Sequence, residues 1–236
     1  MNELTLVIIS TLIAGMAMPL GATIASFEHI KPNWLEEEFR HSVVAFGGGA
    51  LLSAIALVLV PDGIKFLTPV SAATYFCLGG LAFMVLDICL DRMKTHASQL
   101  AAMLSDFIPE SLALGAVFAA GGNSAFLLVL LMALQNLPEG FNAFRELRES
   151  SEYSRFRIIG TFAIMALLGP IAGMSGFIWL SDQPSTVAAI MLFASGGILY
   201  SVFQDIAPQA VLEKHWAPSM GAVFGFVVGI IGHMII

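Results

Sequence analysis

The chain repeats one feature from end to end: apolar runs of about twenty residues, separated by short polar breaks. A helix needs roughly twenty apolar residues to cross some 30 Å of hydrocarbon. The runs fall at 4–26, 41–61, 69–90, 98–121, 124–145, 157–180, 185–207 and 217–236. With 58% hydrophobic and 11% charged residues, the composition lies far from the quarter charged that is usual in soluble domains. An all-α membrane protein of eight transmembrane helices is expected, forming a single domain over residues 1–236. The opening segment has no positive n-region and its apolar run is too long for a signal-peptide core, so it is expected to remain as the first span.

Orientation follows from the basic residues. Lys31, Arg40, Arg92, Lys94, Arg145, Arg148, Arg155, Arg157 and Lys214 all fall at the first, third, fifth and seventh breaks, and Lys65 alone lies on the other side. The positive-inside rule makes those breaks cytoplasmic and puts both termini outside the cytoplasm. The expected location is a prokaryotic inner (plasma) membrane. A net charge of −7 argues against a nucleic-acid partner. Cys77 and Cys89 share one predicted helix about 18 Å apart, too far to bridge; they read as small packing residues. No HExxH, GxSxG or phosphate-binding glycine loop is present, and the short breaks leave no room for an ATP-binding domain, so neither an enzyme nor a primary pump is expected.

Spans 2 and 7 echo one another. Gly48–Pro61 reads GGALLSAIALVLVP and Gly196–Pro208 reads GGILYSVFQDIAP. The two spans cross the membrane in opposite directions, as an inverted repeat of spans 1–3 onto spans 6–8 would require. That leaves spans 4 and 5 as a central pair, a 3+2+3 arrangement.

Carboxylates interrupt that central pair. Asp106 and Glu110 lie in span 4 and Glu139 in span 5, and no span carries Lys or Arg in its middle to balance them. A carboxylate at bilayer depth costs about 2.5–3.5 kcal/mol or more, so a proton or an imported cation must offset it. Asp106 and Glu110 are four residues apart, as are Gln135 and Glu139, so each pair shares a helix face. Pro109 and Pro138 each precede a glutamate and free the carbonyl four residues back, at Ser105 and Leu134. Antiparallel packing of the two spans would bring Glu110 and Glu139 together near mid-depth. Asp62 and Asp205 end the two echoed segments and are candidate staging or gating positions. His29, His41, His96, His215 and His233 cluster at the breaks and the C-terminus; with Glu28, Glu36, Glu37, Glu38, Asp87, Asp91 and Glu213 they read as a solvated face or as an exit-side relay.

QNLPEG (135–140), FIPES (107–111), SGGILYSVFQDIAPQA in span 7 and GGGALLSAIALVLVPDG in span 2 together resemble the ZIP (Zrt-/Irt-like protein) family of divalent-metal transporters. The resemblance covers essentially the whole chain. It implies transport of Zn, Fe, Mn, Cd or a similar ion, with Glu110, Gln135 and Glu139 as ligands and Asn136 facing a neighbouring second site. It also implies a homodimer. Asp106 stands where the family usually has His, Phe107 where it has Asn, and Gly169-Pro170 where span 6 often carries Glu-Pro. One site of carboxylate and amide oxygen is then expected, with Asp106 supporting. Such donors suit Mn²⁺ or Mg²⁺, whereas imidazole suits Zn²⁺; the family default is zinc or iron. Two alternatives stay open: a metal-binding sensor that does not transport, and a proton-coupled transporter of another solute.

Overall fold

The computed structural model describes residues 2–27, 33–93, 96–119, 124–180, 182–211 and 216–235. Glu28, His29, Lys31, Lys94, Glu213, Lys214, His215 and the connection 120–123 fall outside the described residues, as do the side chains of Glu36 and His96. Among the described residues the chain is helical apart from short connections, with no strand.

Eight helical stretches correspond to the eight predicted spans. The first is α1 (Glu3–Phe27). The second joins α2 (Asn33–Ala54), a π-helical turn (Ile55–Leu59) and α3 (Val60–Gly63). Then come α4 (Pro69–Met93), α5 (His96–Ala119) and α6 (Ser124–Ser150). The sixth is split into α7 (Arg155–Ala166) and α8 (Leu168–Leu180). The seventh joins α9 (Pro184–Ser201), a second π-helical turn (Val202–Ile206) and α10 (Ala207–Ala210), and α11 (Ala217–Ile235) is the last. Seven of these stretches are long and apolar enough to cross a membrane, and α5, with 24 residues, packs among them. Large apolar side chains stay exposed along α4 (Val70, Leu78, Leu81, Val85, Ile88) and α11 (Val223, Phe224, Ile231, Met234). Apolar exposure on that scale is unusual for a soluble monomer and is the outer surface of a multi-pass membrane protein. Cys77 and Cys89 lie on the exposed face of α4, so they are surface residues and not the packing residues the sequence suggested.

Two helices outrun their predicted ends. The run Arg145–Ser150 continues α6 by almost two turns, because nothing in RELRES breaks a helix. α2 starts at Asn33, ahead of its apolar run. Span 6 is interrupted at Leu167, where Pro170 lacks the N–H that a continuous helix would use.

The helices are held by close approach of backbones. α1 pairs chiefly with α6, α2 with α11, α4 with α9 and α5 with α8. Each crossing has a glycine on both partners whose missing Cβ makes room for the other's backbone. Gly21 lies on the Leu137 carbonyl and Gly140 on that of Met18; Gly49 lies on Ala222 and Gly225 on Phe46. Gly79 meets Phe193 and Gly196 meets Phe76; Gly115 meets Gly173 and Gly176 meets Leu112. Where lipid replaces water, helices gain little from hiding apolar surface, and small residues that admit close packing supply the adhesion.

The two π-turns stand in the same relation to a proline. Val60 N–H donates to the Ile55 carbonyl and Ala207 N–H to the Val202 carbonyl, five residues back in each case, and Pro61 and Pro208 follow immediately. A proline ring clashes with the carbonyl four residues earlier. Widening the preceding turn by one residue moves that carbonyl aside. The proline supplies a local cause for each turn.

Candidate metal centre

α5 and α6 place the carboxylates. Glu110 is fully buried, as is Gln135. Gln135 Nε2 donates to Glu110 Oε2 at 2.7 Å, which joins the two helices across the centre. Glu110 Oε1 and Gln135 Oε1 are also buried and have no hydrogen-bond partner, and the same holds for Asp106 Oδ1 and Ser111 Oγ. Buried polar atoms are rarely left unpartnered in folded proteins. Here four lie on two adjoining helices, three of them on the residues singled out from the sequence.

Asp106 and Glu139 face a cavity of about 520 Å³. Asp106 lies close enough to Glu110 and Asp205 to feel their charges, and Glu139 close enough to Asp106 and Glu110. The remaining acids on the cavity wall are Asp87 and Asp91 of α4, Glu146 of α6 and Asp205 of the second π-turn; among the described residues no Lys, Arg or His lines it. The Tyr200 hydroxyl donates to Asp87 at 3.1 Å. A smaller cavity of about 200 Å³ shares part of this wall and adds Arg40, His41 and Arg145. The cavity therefore lies towards the end of the bundle that carries most of the basic residues. A low-dielectric cleft lined by one sign of charge concentrates ions of the other sign.

Four of the five sequence-predicted residues, Asp106, Glu110, Gln135 and Glu139, are brought together. Asn136 is not: its side chain is buried, and its Nδ2 donates to the Ala14 carbonyl of α1 at 2.9 Å. Among the described residues, no three His, Cys, Asp or Glu side chains converge tightly enough to hold a metal by themselves. Gln135 Oε1, buried and unpartnered, adds an amide oxygen beside these carboxylates.

Phe107 packs where three helices meet. The Phe107 ring is fully buried and fills the space beside two glycines. Its tip would lie 2.7 Å from a Cβ on Gly15 and 2.6 Å from one on Gly169. A phenyl ring and two glycines thus occupy the junction of α1, α5 and α8.

Gly140 and Gly47 hold the acid-bearing turn of α6. The first lies against α1 at Met18, and the second sits 2.9 Å from Pro138 Cγ, measured from its own missing Cβ. Glu146 also lines the cavity although it lies beyond the apolar run of span 5. The 3/4 spacing of Glu139, Asn142 or Ala143, Glu146 and Ser150 is the sequence signal of this cavity-facing stripe on α6.

Asp62 differs from all of these. It pairs with Lys65 at 2.6 Å and accepts from the Ser124 hydroxyl at 2.8 Å, which ties α3 to the start of α6.

No protein-family model matches the chain, and no curated protein matches it.

Proposed function

We propose that the chain carries a divalent metal cation across a membrane, through a centre formed by Glu110, Gln135, Glu139 and Asp106. One observation carries this reading: a fully buried carboxylate with an amide as its hydrogen-bond partner sits beside a cavity lined, among the described residues, by acids and by no base. A charge so placed must be matched by a proton or by a cation from outside. Gln135 now presents an N–H to Glu110. A half-turn of its amide would set Oε1 beside the carboxylate instead, an arrangement of two acceptors that a cation between them would stabilise.

The resemblance to the ZIP family supports the same reading and supplies zinc or iron as its default cargo. The oxygen donors favour a harder ion such as Mn²⁺. We further propose eight spans in a 3+2+3 inverted repeat, with both termini on the extracytoplasmic side of a plasma membrane. The matched π-turns support it. So does the pairing of helices: exchanging spans 1–3 for 6–8, and 4 for 5, turns the α1–α6 crossing into α8–α5 and the α2–α11 crossing into α9–α4.

The test is uptake of Zn²⁺, Mn²⁺, Fe²⁺, Cd²⁺ and Mg²⁺ into liposomes containing the purified chain, beside the Glu139→Gln variant. The expected result is flux of at least one ion, reduced tenfold or more in the variant. Tight binding with no flux would favour a sensor. Proton-driven flux of another solute would favour the other alternative. An absence of both metal binding and metal flux would overturn the proposal.

A further inference from the structure

The two π-turns share a backbone and differ in what they carry. Counted back from their prolines, Ile55–Leu59 aligns with Val202–Ile206, so that Val58 and Asp205 hold the same place. Val58 is 1% exposed and packs in the apolar core. Asp205 is half-buried and forms part of the cavity wall, next to Ser201 and Ile206. Gly48 accommodates Ile206 of the same turn: a Cβ there would lie 2.9 Å from Ile206 Cγ2. The turn is thus seated directly against α2.

We infer that Asp205 is the positioning residue that keeps this cavity hydrated and selective for cations, and that Val58, in the matching turn, seals the corresponding place at the other end. The π-turn is the means. An extra residue in one helical turn rotates everything that follows by about 100° relative to a regular helix, and that rotation decides which side chain of VFQDI meets the cavity. The wall around Asp205 then draws a cation inward by charge: Asp205 shares it with Asp106 of α5 and Asp87 of α4. The chain's sidedness comes from one side chain in each of two similar turns. The identity of the cation rests on the transport reading above; the role of Asp205 in hydration and charge selection does not.

The experiment uses the full chain in detergent, with Cys77 and Cys89 replaced by Ala and a reporter thiol introduced by Ser201→Cys on the cavity wall. Modification rates are compared for a positively and a negatively charged methanethiosulfonate of similar size. The cationic reagent should react at least tenfold faster. Asp205→Asn, which keeps the shape and removes the charge, should leave the thiol accessible but lower that preference threefold or more. Asp205→Val gives the second turn the side chain its counterpart already carries, and should slow both reagents at least tenfold. A preference in Asp205→Asn within twofold of the parent would overturn the proposal, as would undiminished rates in Asp205→Val. Because the readout contains no metal, a failure of metal transport and a failure of this inference are seen separately.

Discussion

Glu110 and Asp62 are both carboxylates of the helical bundle, and the protein treats them in opposite ways. Asp62 has its own cation, Lys65, and a hydroxyl from Ser124. Glu110 lies deeper, is wholly enclosed, and receives a neutral amide. An acid supplied with an internal base is a structural tie, and its charge is already balanced. An acid enclosed without one keeps a place for charge that must come from elsewhere. The difference separates fastening from function here more sharply than burial or helix position does.

The comparison is broken most completely by giving Glu110 what Asp62 has. Gln135→Lys places an ammonium where the amide now donates. We expect a folded protein with metal flux reduced a hundredfold or more in the liposome assay, because the imported cation would meet a fixed one. Retained flux in that variant would mean that Glu110 is not part of the ion's route. A smaller effect sharpens the contrast: Gln135→Leu removes the hydrogen-bond partner of a buried carboxylate. The cost is about 1–3 kcal/mol, read as a lower midpoint of thermal unfolding in detergent, and a saturating divalent ion should restore part of it if the ion binds at Glu110. The smallest effect belongs to Lys65→Met. The ammonium there is well exposed, with 62% of its side chain accessible, and exposed ion pairs contribute under about 1 kcal/mol. Unfolding should barely move and flux should stay within twofold of the parent. A large loss of flux would show that the Asp62 corner takes part in ion movement.

Much of this was legible in the sequence. The apolar runs gave the helices, because a twenty-residue stretch without charge has few other uses. The i, i+4 pairs Asp106/Glu110 and Gln135/Glu139 gave the faces, because helix geometry fixes them. What lay hidden depended on partners far along the chain. Asn136 looks like a third member of the Gln135/Glu139 group, yet its amide bonds to Ala14, 122 residues away, and no local pattern announces which helix will pack there. The π-turns were hidden for another reason. IALVL is apolar on every side, so one extra residue shifts no visible stripe, and only the comparison with VFQDI reveals it. The split at Leu167 was half legible: Gly169-Pro170 marks the place, but not whether the helix bends or stops.

The reciprocal glycine crossings bear on how this protein should melt. In a soluble domain, the heat-capacity increment of unfolding comes mainly from apolar surface newly exposed to water. Separating α1 from α6, or α5 from α8, inside a micelle would bring the freed faces against alkyl chains instead. The calorimetric signature should then be a small increment, with an unfolding enthalpy that varies little with temperature and stems largely from lost van der Waals contact. Cold should accordingly be a far weaker threat to this bundle than to a water-soluble domain of the same length.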